Sequence, residues 1–533
     1  MKTNLPQPRS GPSAADTLQR AIALHQQGDI RQAGALYLEV LAAEPDNFDA
    51  LHLLGVYAQQ TGDNQAACDL IARALSIDPG SAIAHTNLGI VLERMKRYDD
   101  ALAAHQKALD LAPDTQAALN NYGATLLKLR RPAEAAAYFE RALHLDPAYA
   151  EAMGNLGNSY IDMRRYEEAL LCLDQALALN PVFIAAHFNR GNALHHLNRI
   201  DEALTAYRRT LELDPGHVDA HFNQGLCLLL NGDFERGWPE YEWRWRKEAY
   251  QTRQDLGRPP WLGQEPLAGK TILVHSEQGF GDSIQFCRYA ILLAQQGARV
   301  ILRVQPALTS LLAGLPGVHS VIADDAPLPG FDCHCPLMSL PLAFQTTLAS
   351  VPAWPAYLSP VQDDGVWAAR LGASGKPRIG LVWAGSPGHD NDAFRSIPLL
   401  RLLELVSDRA RFVSLQKELR AVDRILLQKT GRIAHFADAQ RNFSDTAALV
   451  AQMDLVVTVD TSVAHLAAAM GKPTWILLPF APDWRWMLER GDSPWYPMAR
   501  LFRQPRSGDW DSVIAAVGRE MAAFLAAAGQ AGA

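Results

Sequence analysis

The chain has 533 residues, 48% hydrophobic and 20% charged, and 49 Lys and Arg against 57 Asp and Glu leave a net charge of −8. That length exceeds one hydrophobic core and, at ~150 residues per domain, predicts roughly three or four units. The acidic balance, with no clustered Lys or Arg, argues against nucleic acid and anionic membrane as partners.

No apolar run reaches the ~18 residues that a membrane helix needs, so no membrane insertion is expected. The opening stretch MKTNLPQPRSGPSAADT has no apolar segment of the kind a secretory signal carries. Cys68, Cys172, Cys227, Cys287, Cys333 and Cys335 are scattered, as in a reducing compartment, and a cytoplasmic location is expected. Cys333-His334-Cys335 lacks a second ligand pair at zinc-site spacing, so it reads as a buried strand and no metal site is expected.

The first half is periodic. Prolines recur at 45, 79, 113, 147, 181 and 215, a step of 34, and glycines keep that step at 55, 89, 123, 157, 191 and 225. Ala33, Ala67, Ala101, Ala135, Ala169 and Ala203 follow it too. A period of 34 with a helix-turn-helix in each unit resembles the tetratricopeptide repeat, which implies an α-solenoid. The glycines and alanines let helix A of each unit approach helix B, and each proline stops one unit before the next begins. Repeats are expected to begin near residues 14, 48, 82, 116, 150, 184 and 218. The last is atypical: Gly237 replaces the alanine and WPEYEWRWR carries three tryptophans, as expected of a terminal repeat that docks onto the following domain.

Asn87, Asn121, Asn155, Asn189 and Asn223 each lie two residues before a repeat glycine. At 100° per residue this position points away from the core face of helix A, towards the open groove. Asn costs up to ~0.7 kcal/mol relative to Ala in a helix, so its repetition calls for a reason. A primary amide matches the N–H and C=O of an extended peptide, and a column of them would grip a polypeptide backbone with little regard for sequence. The neighbouring position has diverged freely (Leu88, Tyr122, Leu156, Arg190, Gln224), which argues against simple copying. The column resembles the one lining the superhelix of the protein O-GlcNAc transferases. Gln19 and Leu53 depart from it.

From about residue 270 strand-length apolar runs alternate with helical stretches, the pattern of parallel βαβ units. Strands are expected at Thr271–His275, Val300–Val304, Ser320–Ile322 and Phe331–Cys335, then, after a Pro-rich connection at 350–360, at Ile379–Trp383, Arg411–Leu415, Leu455–Val459 and Thr474–Leu478. Two Rossmann-like lobes around a cleft suggest the GT-B architecture. The expected domains are therefore a repeat superhelix over 14–251, a first lobe over 252–360 and a second lobe over 361–533.

Three loops carry the candidate chemistry. In HSEQGFGD (275–282), Gly279 and Gly281 allow a sharp turn into a helix, with Asp282 either capping that helix or acting as a base. The loop is neither a dinucleotide fingerprint nor a Walker loop. In LVWAGSPGHDNDAFRS (381–396), Gly385 and Ser386 lead into a polar cluster whose Arg395 would neutralise a diphosphate. In MDLVVTVDTSVAHLAAAMGKPTWILLP (453–479), Asp460, Thr461 and Ser462 start an apolar helix that Gly471 ends; good capping explains this shape, and free N–H groups and hydroxyls there also suit a nucleotide diphosphate.

These three segments resemble the ADP-heptose heptosyltransferase family over roughly residues 270–505 and, more distantly, the O-GlcNAc transferases. The resemblance implies an inverting glycosyltransferase, with Gly281-Asp282 carrying the proposed base, Asp460, Thr461, His465 and Leu466 contacting the nucleotide sugar, and Lys417 facing its phosphates. Neither metal nor other cofactor is expected. His275 and His389 are the alternative bases. The tail PDWRWMLERGDSPWYPMARLFRQ (482–504) departs from the heptosyltransferases and, with the fused repeats, looks like bacterial proteins of the flagellin-glycosyltransferase type. That implies a protein acceptor of flagellin-like type, modified at Ser or Thr. A glycan or lipid acceptor with recruiting repeats, and a scaffold whose transferase module is degenerate, are the competing readings.

Overall fold

A computed structural model describes residues 13–247, 256–258, 260–360, 365–388 and 391–531. It forms two compact units, one reaching to His196 with Glu212–Asp214, the other comprising Leu197–Leu211 and Pro215 onward. The units thus do not divide at 251/252: the seventh repeat belongs with the α/β module.

The helices come in pairs of 13 and 14 residues, from Ala14–Gln26 and Ile30–Ala43 through Ile184–His196 and Ile200–Leu213, with Val218–Leu230 and a shortened Phe234–Tyr241 at the end. Repeats start at the expected residues. A Cβ on Gly55, Gly89, Gly123 or Gly157 would lie 2.3–2.7 Å from the side chain sixteen residues on, Ile71, His105, Phe139 or Leu173. The glycine is therefore a socket for one helix B side chain, and the sockets repeat with the period. One periodic feature had no signature in the composition. Gly28, Gly62, Lys96, Arg130, Arg164, Asn198 and Gly232 all take positive φ in the turn between helices A and B. Four of the seven are not glycine, although a left-handed conformation costs them ~1–2 kcal/mol.

The α/β module holds two wholly parallel sheets. The first contains β1 (Thr271–His275), β2 (Arg299–Val304), β3 (Val318–Ala323) and β4 (Cys333–Pro336) in the order β3-β2-β1-β4. The second contains β5 (Arg378–Val382), β6 (Arg411–Ser414), β7 (Ile433–His435), β8 (Leu455–Val459), β9 (Thr474–Leu478) and β10 (Ala499–Arg503), ordered β10-β9-β8-β5-β6-β7. Short β7 and β10 were not anticipated. The CHCP strand is buried throughout, as expected. Each sheet reverses its winding once, at β1/β4 and at β5/β8, and the carboxyl ends of strands at such points are where open α/β sheets bind ligands. Among the described residues no helix is long and apolar enough to cross a membrane.

The seventh repeat docks as its tryptophans suggested. Trp238 is 2% exposed and donates to the Thr346 carbonyl at 2.9 Å. It meets Trp484 edge-on, with ring centroids 5.4 Å apart, and Phe234 stacks on Trp495. Such rings each bury ~150–250 Å².

Candidate functional site

A cleft of about 550 Å³ opens where both sheets switch. Its walls come from segments following strand ends: Gly279–Asp282 after β1, Ala384–Ser386 after β5, Gln416–Glu418 after β6 and Asp460–Val463 after β8. Asn391, Arg395, His465, Asp483 and Arg485 also line it. Of the lobe residues expected to act, Gly279, Gly281, Asp282, Gly385, Ser386, Arg395, Lys417, Asp460, Thr461, Ser462 and His465 line this one cavity, and Leu466 does not.

Asp282 is not the N-cap of its helix. Gly279 is the N-cap of helix Phe280–Phe286, and Asp282 sits in its first turn, where Oδ2 accepts the Gly279 N–H at 2.8 Å. Its Oδ1 accepts from Arg485 Nη2 at 2.5 Å. Arg485, from the tail that matched no heptosyltransferase, also donates to Asp483 Oδ1 at 2.8 Å. Burial opposes the Arg485 charge, but Asp483 and Asp282 outweigh it and keep the guanidinium protonated.

Helix Ser462–Ala469 begins with Thr461 as N-cap, yet no side chain caps it. The Thr461 hydroxyl instead lies 3.3 Å from that of Thr458. Side-chain capping therefore does not account for the Asp-Thr-Ser start, and Ser462 and Val463, in the first turn at the positive end of the helix, line the cleft. Gly281 faces this start: a Cβ there would lie 2.9 Å from His465 Cδ2. His465 is 5% exposed, pairs Nδ1 with the Tyr496 hydroxyl at 2.9 Å and stacks on Trp486. Burial, and then the cations Arg485, Arg288 and Arg395, push its pKa well down, so the ring is neutral.

Burial and the Asp483 charge raise the Asp460 pKa to about 6, against the pull of Arg395. Arg395 donates to the Asp460 carbonyl at 3.0 Å and lies so close to Gly385 that a Cβ would fall 2.5 Å from its Nη2. Asp392, from the same polar loop, is 6% exposed and holds Ser396 and Arg420 (Ser396 Oγ at 2.8 Å, Arg420 Nη2 at 2.6 Å), which shapes the loop. Lys417 is exposed at the rim. The alternative base His275 lies outside the cleft, its Nε2 3.2 Å from His334 Nδ1, and His389 lies outside the described residues.

Sequence reasoning missed Asp483 and Arg485, and also Gln416, whose side chain ties the strand ends together by bonding Trp383 N, Ala384 N and Ala384 O. None of these stands in a spacing that announces a role.

The asparagines are not on an open surface: all five are half-buried. Asn87 Nδ2 lies 2.9 Å from His52 Nε2, and Asn155 donates to Asn120 Oδ1 at 2.9 Å, so two of them link neighbouring repeats. Asn120, 1% exposed, donates in turn to Glu151. An amide turned from the core face of its own helix still meets the adjacent repeat, which the helical projection did not include.

Tetratricopeptide-repeat family models match residues 46–114, 80–147, 155–217 and 197–242, and the glycosyltransferase family 9 (heptosyltransferase) model matches residues 417–477. Protein FlbA of Caulobacter vibrioides is 26% identical over 332 residues, covering 56% of this chain and 54% of FlbA, so the chain spans about half the length of that relative. The Cut9-Hcn1 structure of the APC/C hetero-tetramer is 19% identical with a TM-score of 0.38, covering 40% of this chain and 43% of that one. Pseudomonas aeruginosa pilF is 22% identical with a TM-score of 0.36, covering 40% of this chain and 96% of that one. The chain thus combines tetratricopeptide repeats with a domain of glycosyltransferase family 9 type, which supports a glycosyltransferase.

Proposed function

We propose that this chain, a tetratricopeptide-repeat protein with a family 9 glycosyltransferase domain, transfers a sugar from a nucleotide sugar to Ser or Thr of a protein held by its repeats. The observation that carries the reading is the uncapped start of helix Ser462–Ala469 facing Gly279–Asp282 across a cleft at both switch points. The diphosphate lies against the Ser462 and Val463 N–H groups, with the Thr461 and Ser462 hydroxyls, Arg395 and Lys417 around it. Asp282 takes the acceptor hydroxyl proton as that oxygen attacks the anomeric carbon, with inversion. Fixed N–H groups and cations stabilise the departing diphosphate, so the step requires no metal. The acceptor runs along Asn87, Asn121, Asn155, Asn189 and Asn223; a flagellin-like protein in the cytoplasm is the class the sequence resemblance implies.

The bonds of Asn87 and Asn155 to neighbouring repeats favour a second reading, in which these amides brace the solenoid and the acceptor is a glycan or lipid. The test of catalysis is turnover of the nucleotide sugar that most raises the melting temperature. Asp282→Asn is expected to abolish it; near-normal turnover would overturn the assignment of the base.

A further inference from the structure

The cleft holds one cation in a position to serve two anions. Arg485 lines it with a side chain only 8% exposed, bridging Asp282 and Asp483, while its Nε makes no hydrogen bond. Its guanidinium lies over the Trp484 ring, 4.4 Å from the centroid, with its edges towards the two carboxylates. Asp282 has both oxygens engaged, one by Arg485 and one by the Gly279 N–H. A carboxylate paired with a fixed guanidinium is a poor proton acceptor. A diphosphate entering beside Thr461 and Ser462 brings acceptor oxygens that suit a guanidinium at least as well as one carboxylate does.

We propose that Arg485 is an exchange cation: the donor diphosphate draws it from Asp282, so that Asp282 becomes able to accept a proton only once donor is bound. This rests on the glycosyltransferase reading above. In the transfer step the acceptor O–H proton passes to the Asp282 carboxylate as the oxygen–anomeric carbon bond forms. The bond from that carbon to the phosphate oxygen breaks, its electron pair leaves with the nucleoside diphosphate, and Arg485 meets the added charge. Without donor the base stays paired, which protects the cleft from activating water.

The test is calorimetric titration of the full chain with ADP, GDP and UDP, using wild type, Asp282→Asn, Arg485→Gln and the double variant. Exchange predicts that Asp282→Asn, which cannot hold Arg485 as an anion does, binds the preferred diphosphate roughly tenfold more tightly than wild type. It also predicts that Arg485→Gln weakens binding roughly tenfold and removes the effect of Asp282→Asn. Unchanged or weaker binding by Asp282→Asn would overturn the exchange; this arm stands alone if Arg485→Gln does not fold. Failure of wild type to bind these three and also CDP and dTDP would instead remove the nucleotide-sugar reading, and the exchange with it.

Discussion

Arg244 of the seventh repeat forks onto Glu277 of the β1 loop, Nε to Oε2 at 2.9 Å and Nη2 to Oε1 at 3.0 Å, with Arg244 wholly buried. The guanidinium also donates to Ser339, Glu242 and the Tyr241 carbonyl, and Glu277 accepts the Met338 N–H. Next to it, Gln278 donates to the Tyr241 hydroxyl at 3.1 Å. Two successive residues of the loop that leads to Gly279 and Asp282 are therefore held by side chains of the repeat as well as by their own lobe, where Gln305 Nε2 donates to the Gln278 carbonyl at 2.7 Å.

Removing the repeat's half of this pair leaves a buried carboxylate without its counter-charge. Arg244→Met is expected to cost about 3–5 kcal/mol. Burial already raises the Glu277 pKa against the pull of Arg244, and the substitution raises it further. A carboxyl raised on folding is penalised above its folded pKa and relieved below its unfolded one, so the deficit should shrink on acidification. Denaturant titrations at pH 8 and pH 5 check this; an equal deficit at both would contradict it.

Gly281→Ala places a methyl 2.9 Å from His465 Cδ2 and should push the two helix starts apart. Diphosphate affinity and turnover are expected to fall at least tenfold with a small change in melting temperature, because the conflict lies at the cleft rather than in either sheet. Unaltered kinetics would show that the spacing of these helices is not critical.

Asp460 has its pKa raised from 3.8 to about 6. Its carboxylate therefore adds nothing unfavourable below pH 3.8, and a penalty grows as pH rises towards 6 and is complete above it. Asp460→Asn should accordingly stabilise the protein at pH 7–8 by on the order of 2–3 kcal/mol, with little effect near pH 4. Thermal denaturation of both proteins across that range reads the difference directly.

The asparagines separate by what they touch. Asn155→Ala removes a donor from buried Asn120 and should cost ~1 kcal/mol of stability. Asn121→Ala breaks no bond to another side chain among the described residues, so it should leave the melting temperature unchanged while weakening peptide binding. If only stability responds across the five positions, the column braces the solenoid and does not grip a peptide.

Much of this was legible in the sequence because periodic constraint is written in composition. Gly55 and its equivalents mark sockets for side chains sixteen residues on, and their step of 34 located the second to seventh repeats. Strands β1, β8 and β9 were legible as apolar runs because parallel strands are buried on both faces. β7 has only three residues and β10 carries Arg500 and Arg503 among its five, so neither gave that signal. The cleft-lining loops followed from strand ends, but Arg485 did not, since its partner Asp282 lies 203 positions away. Long-range pairing of single charges leaves no local pattern.

The most direct measurement of the central claim is peptide-mapping mass spectrometry of a flagellin-like acceptor co-expressed with the wild-type chain or with Asp282→Asn. The account predicts a sugar mass increment on Ser or Thr peptides with the wild type and none with Asp282→Asn. Unmodified polypeptide in both cultures, with the sugar appearing on a glycan or lipid, would contradict it.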